Sequence, residues 1–126
     1  MNAKRKFLSV STAAAALLGA ALATAPDASA RSQHGCKFPR VCFYKTGADF
    51  DANQPTASYK DLTSSFQALG PRARGSHKAV NTRNDDGAII KFANRPAGVC
   101  MRPNTVWTFG ANVATHIRIV DSPTCA

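Results

Sequence analysis

The sequence predicts a small, single, mainly β sandwich with one short helix, stapled by disulfides. Three observations predict it. Short runs of β-forming residues recur between Gly, Pro and Asn-Asp turns. Four cysteines, an even number, sit in a chain of 126 residues. Hydrophobic residues make up 44% and charged ones 18%, the balance of a chain that buries a core rather than of a disordered tail. The length allows one domain and excludes a large cofactor-binding enzyme fold.

Residues 1–30 read as an export signal. Lys4, Arg5 and Lys6 open it, an apolar run from Phe7 to Ala25 follows, and Ala28-Ser29-Ala30 supplies a small-x-small cleavage site. Ser9, Ser11 and Thr12 dilute the apolar run and Pro26 closes it, which separates it from a membrane anchor. The domain is then residues 31–126, secreted and monomeric, with no membrane contact after cleavage. In an oxidising compartment its cysteines read as a disulfide framework. Cys36 and Cys42 lack the two-to-four-residue spacing of zinc ligands, and Cys100 and Cys125 have no His pair nearby, so neither metal nor cofactor is expected. Four cysteines allow three pairings, and spacing alone does not select one. The expected pairing is Cys36 with Cys42, pinning the N-terminal tail to a strand, and Cys100 with Cys125, tying down the C-terminal tail.

Within the domain, Arg40 to Lys45 is rich in β-formers between Pro39 and Gly47 and predicts a strand, and Gly47 to Thr56 predicts a loop. Tyr59, Leu62, Phe66 and Leu69 recur at spacings of three, four and three, with Ser58 as a cap and Gly70-Pro71 as a stop, which predicts the short helix. Lys78 to Thr82 and Ala88 to Phe92 flank Arg83 to Gly87 and predict a hairpin through the Asp-Gly step. Asn94 to Gly98 predicts a turn, Val99 to Arg102 a strand, Pro103-Asn104 a turn and Thr105 to Phe109 a strand. Finally, Thr115 to Val120 sets Ile117 and Ile119 against His116, Arg118 and Val120, a strand with one apolar face.

The chemistry is bounded by what is missing. The chain has no Glu, which removes His-Glu-x-x-His zinc proteases, Glu-based glycosidase pairs and Glu-dependent deaminases. His34, His77 and His116 are the only imidazoles; they read as surface residues, His34 in a loose terminus, and no Gly-x-Ser-x-Gly elbow supports a triad. No catalytic residue is assigned. Pro71 to Arg83 carries Arg72, Arg74, Lys78 and Arg83 without an acid, a basic patch suited to an anionic cell-wall polymer; nucleic acid is not an expected partner, because base-stacking aromatics are absent from the run. Asp61-Leu62-Thr63-Ser64-Ser65 has the form of a crystallin calcium motif, but Lys60 puts a cation where a ligand belongs.

Three blocks resemble a known family. Cys36-Lys37-Phe38-Pro39-Arg40-Val41-Cys42-Phe43-Tyr44, Ala79-Val80-Asn81 through Ile89-Ile90-Lys91-Phe92, and Val99-Cys100-Met101-Arg102 are similar to segments of the Streptomyces metalloproteinase inhibitors. The resemblance implies a βγ-crystallin-like Greek-key sandwich that catalyses nothing and inhibits an extracellular protease, a metalloprotease first of all, through the loop Cys100-Met101-Arg102-Pro103. In that scheme Met101 enters an apolar pocket of the protease, Arg102 makes a rim contact and Pro103 stiffens the exit. Met101 reads equally as a filler of the core. The chain departs from the family in having Cys125 as the only unused partner for Cys100, and Ala52 where the Greek-key pattern has Gly. The alternative reading is a non-inhibitory binding module that uses the basic face for a wall polyanion or a protein.

Overall fold

The computed structural model describes residues 31–126; the export signal expected at 1–30 lies outside the described residues. Eight strands and one helical turn follow in order: β1 Val41–Tyr44, α1 Gly47–Asp51, β2 Ala57–Tyr59, β3 Gln67–Ala68, β4 Lys78–Asn81, β5 Gly87–Phe92, β6 Arg95–Met101, β7 Thr105–Thr108 and β8 Ala114–Val120. They form two four-stranded antiparallel sheets, ordered β2-β1-β4-β7 and β3-β8-β5-β6. The sequence predicted this mainly β sandwich.

The order reveals an internal symmetry. In the first half β1 pairs with β2 and β4, and in the second β5 pairs with β6 and β8; each half lends its third strand, β3 or β7, to the other sheet. Two Greek keys are thereby interlocked, and neither half closes its own sheet. The repeated Val-Cys dipeptide is no part of this symmetry: Val41-Cys42 lies on β1, whereas Val99-Cys100 lies on β6.

The core lies between the sheets, where Val41, Phe43, Ile90, Met101, Ile117 and Ile119 are fully buried. On β8 the expected alternation appears, with Ile117 and Ile119 inward and His116, Arg118 and Val120 half exposed. A second apolar cluster of Cys36, Cys42, Tyr44 and Val80, with Phe50 against it, sits on the outer face of the first sheet under residues 31–40. This strap is why all four residues of β1 are buried. Gly35, at φ 75°, passes so close to the loop after α1 that a Cβ there would collide with the Asn53 carbonyl.

Four expectations are corrected. The helix is at Gly47–Asp51, inside the predicted loop. Thr46 and Asp49 make a reciprocal capping box, with the Asp49 N–H donating to Thr46 Oγ1 and the Thr46 N–H to Asp49 Oδ2, both at 3.1 Å. The helix predicted over Tyr59 to Leu69 does not form. Tyr59 pairs with Val41 at the end of β2, Leu62 bridges to Ile119, and Gln67–Ala68 adds to β8, so pairing across the sandwich overrides the helical spacing. The predicted hairpin of Lys78 to Thr82 with Ala88 to Phe92 is instead an arch, because β4 pairs with β1 and β7 while β5 pairs with β6 and β8. The turn predicted at Asn94 to Gly98 is tighter: β6 already begins at Arg95, with Pro96 tolerated on an edge strand.

This connectivity sorts the loops to two poles. At one end lie 45–56, 69–77, 93–94 and 109–113; at the other lie 60–66, 82–86, 102–104 and the C-terminal tail, and the N-terminal strap crosses the outer face of the first sheet, touching Asn53 and Phe50 as well as Asn104. The two candidate contact regions of the sequence therefore stand at opposite ends of the molecule.

Candidate functional site

The link between β6 and β7 passes from one sheet to the other at residues 102–104. Pro103 fixes one backbone angle, and Asn104 takes φ 62°, a combination suited to a type II turn. Thr105 Oγ1 donates to the Arg102 carbonyl at 2.6 Å and closes it. Arg102 and Asn104 are exposed.

Three further ties hold this turn from behind. Asn81, fully buried on β4, donates through its amide nitrogen to the carbonyls of Asp86 and Met101 at 3.1 Å and of Arg102 at 3.3 Å. Its amide oxygen accepts from the Arg83 N–H at 2.9 Å. Cys100, two residues before Arg102, is bridged to Cys125, and Gln33 Nε2 of the strap donates to Asn104 Oδ1 at 2.9 Å. The other bridge joins Cys36 to Cys42, so both expected disulfides are present. They are consistent with an oxidising compartment.

Of the four loop residues expected to contact a partner, Met101 is corrected. Its side chain is fully buried among the core residues of both sheets, because strand alternation at the end of β6 turns it inward and Arg102 outward. Cys100 is tied up in its bridge and half buried, leaving Arg102, half-buried Pro103 and Asn104 as the accessible surface.

The basic patch also loses a member. Arg83 is buried: its guanidinium pairs with Asp86 at 2.6 Å and donates to the carbonyls of Pro39 and Lys60 at 2.7 and 2.9 Å, so it holds the arch between β4 and β5. Arg72 and Arg74 are exposed on the far pole, and the Lys78 ammonium lies 4.4 Å over the Phe50 ring. The structure adds Lys45 and Lys91, which the sequence scatters too widely to group. Lys45 reaches the 71–74 loop, and Lys91 lines a hollow with Arg74 and His116.

The histidines do not form a site. His34 is not loose: its ring stacks on Phe50 at 4.5 Å and its carbonyl accepts from the Tyr44 hydroxyl at 2.6 Å. Burial pushes the Tyr44 phenol up to about 12. His116 Nδ1 stands 2.9 Å from Thr115 Oγ1. Among the described residues no group of three or more His, Cys, Asp or Glu is placed to hold a metal ion, and in the Asp61 segment the Thr63 hydroxyl donates to the Ser65 carbonyl at 2.7 Å. Nor is any described helix long and apolar enough to cross a membrane.

Asn81 is the residue that sequence reading passed over. Its one signal was an amide in the middle of a β-forming run, where such a side chain disfavours a strand unless it has partners. Compared with protein-family models, curated proteins and solved structures, the chain matches none.

Proposed function

We propose that this protein is a secreted, non-catalytic inhibitor of an extracellular protease, and that it acts through the β6–β7 turn with Arg102 as the leading side chain. The single observation carrying the reading is the turn's rigidity. A segment of three residues, exposed at Arg102 and Asn104, is held by the Asn81 amide, the Cys100–Cys125 bridge, the Thr105 hydroxyl and Gln33. A loop already ordered avoids the ordering cost of a flexible peptide, roughly 0.5–1.5 kcal/mol per immobilised side chain.

Two further features support the reading. The interlocked Greek keys agree with the βγ-crystallin-like fold that the resemblance to metalloproteinase inhibitors implies, and the two disulfides agree with export by residues 1–30. Met101 takes no part in contact. An inhibitor with Arg102 outermost suits a cleft with acidic walls, so a trypsin-like protease belongs beside a thermolysin-like one in the assay.

The test is titration of residues 31–126 into both enzymes. Stoichiometric loss of activity in either is expected, with Arg102→Ala weakening inhibition at least tenfold while leaving the thermal midpoint unchanged. Full activity of both proteases at tenfold excess, or unimpaired inhibition by Arg102→Ala, rejects the reading. Met101→Asp is no probe of contact, since it places a charge in the core.

A further inference from the structure

The pole opposite the turn carries a second feature, independent of inhibition. Residues 70–75 form a compact turn around fully buried Ala73, with the N–H groups of Ala73 and Arg74 donating to the Gly70 carbonyl at 3.0 and 2.9 Å and the Gly75 N–H to Ala114 at 3.1 Å. Three more of its carbonyls are bound from elsewhere in the chain. Lys45 Nζ donates to Pro71 at 3.1 Å and to Arg74 at 2.5 Å, and Thr56 Oγ1 donates to Arg72 at 2.7 Å. The backbone is thus fixed, and the Arg72 and Arg74 side chains flanking Ala73 in the chain are exposed.

Those guanidiniums have no anionic partner: neither Arg72 nor Arg74 forms an ion pair with a described carboxylate. Arg74 shares a hollow of about 340 Å³ with Lys91, His116 and Thr115, whose walls hold no acid. Lys91 is held there, its ammonium 4.0 Å over the Phe66 ring. Arg72 lines a second hollow with Lys45; its single acid, Asp49, is engaged in capping α1. Residues distant in sequence (45, 72, 74, 91 and 116) are therefore gathered at one pole. Nothing in the fold's own packing needs two unpaired guanidiniums in a turn whose carbonyls from Gly70 to Arg74 are already hydrogen-bonded, and like charges held close oppose folding.

We propose that this surface binds an anionic polymer with phosphodiester groups on a non-aromatic repeat, such as a polyol phosphate. Planar guanidiniums suit phosphate geometry, and cations in two hollows reached from one turn suit a chain better than a single ion. A nucleic acid fits less well, because the one phenyl ring lining either hollow, Phe92, is buried, which leaves the half-exposed His116 imidazole as the single ring on which a base could stack. A bound polymer at this pole leaves the Arg102 turn free at the other.

The probe is fluorescent poly(glycerol phosphate) titrated with residues 31–126, the whole of the described fold. With Arg72, Arg74 and Lys91 neutralising phosphates, affinity is expected to fall roughly 20-fold between 50 and 200 mM salt, from a slope of about 0.7 per contact. The double variant Arg72→Ser with Arg74→Ser is expected to bind at least tenfold more weakly with an unchanged thermal midpoint, whereas Lys37→Ser, on the opposite pole, binds as the parent does. Absence of binding, affinity insensitive to salt, equal loss in Lys37→Ser, or oligothymidylate bound as tightly as the polyol phosphate each overturns the assignment. Because Arg102 is untouched, failure here leaves protease inhibition to be judged by its own assay.

Discussion

The amide nitrogen of Asn81 stands 3.1 Å from the Met101 carbonyl oxygen and 3.3 Å from that of Arg102, so one buried side chain of β4 holds the end of β6 and the turn beyond it. The same nitrogen also reaches the Asp86 carbonyl, and the amide oxygen takes the Arg83 N–H. Two links between the sheets, the arch at 82–86 and the turn at 102–104, thus meet at a single group.

Asn81→Leu removes all of these partners at once and leaves buried backbone groups unmatched. The expected cost is about 3 kcal/mol, at 1–3 kcal/mol for each poorly rehydrated group, which lowers the thermal midpoint by on the order of 15 °C. Asn81→Asp is also expected to be destabilising at neutral pH, since a carboxylate cannot donate to three carbonyls. A midpoint shift under 4 °C for Asn81→Leu would show that the turn is held chiefly by other groups.

Arg83 and Asp86 are both buried, and each neutralises the other. Arg83→Met leaves a buried carboxylate alone and frees the carbonyls of Pro39 and Lys60, at an expected cost of roughly 3–5 kcal/mol. Adding Asp86→Asn removes the stranded charge and is expected to recover part of that loss. Urea unfolding of the parent, both single variants and the double variant gives the coupling; additivity within about 0.5 kcal/mol speaks against a cooperative pair.

Tyr44 makes stability depend on alkaline pH. Its phenol ionises near 10 when unfolded and is raised to about 12 by burial in the fold. The folded state therefore holds the proton more tightly, and the unfolded state gains stability by losing it first. Stability is unaffected by this group below pH 10 and declines as pH rises from 10 toward 12, by up to about 2–3 kcal/mol. In Tyr44→Phe that decline is expected to vanish, while about 1 kcal/mol is lost at pH 7 with the hydrogen bond to His34. Parallel midpoints for parent and variant from pH 9 to pH 11.5 would contradict the assignment.

Strand positions were largely legible in the sequence because they rest on local patterns. Ile117 and Ile119 alternate against His116 and Arg118, and the β-formers of Val41 to Tyr44 stop at Lys45, as the structure has them. The helix was misplaced although its signal was present: Thr46 and Asp49 stand three apart as a capping pair, but aspartates near Asn53 and Pro55 equally signal a turn. The spacing of Tyr59, Leu62, Phe66 and Leu69 was genuine, yet Leu62 stays 46% exposed because that segment serves as a connection between sheets.

Site residues were legible in kind and unreadable in direction. The sequence points to Cys100 to Pro103 as a contact loop, and only the parity of β6 in the sandwich sends Met101 inward and Arg102 outward. A basic run was marked at 71–83, and only the arch between sheets turns Arg83 into a buried structural cation while Lys45 and Lys91 are brought to Arg72 and Arg74.

By itself the sequence determined the β class, the strand segments other than β2 and β3, and the disulfide-bonded character of the domain, since propensity, alternation and cysteine count are properties of neighbouring residues. Tertiary structure alone decided which strands share a sheet, which face each side chain takes and which charges meet. Those follow from the exchange of β3 and β7 between the two halves, a pairing between residues up to dozens of positions apart that no local pattern encodes.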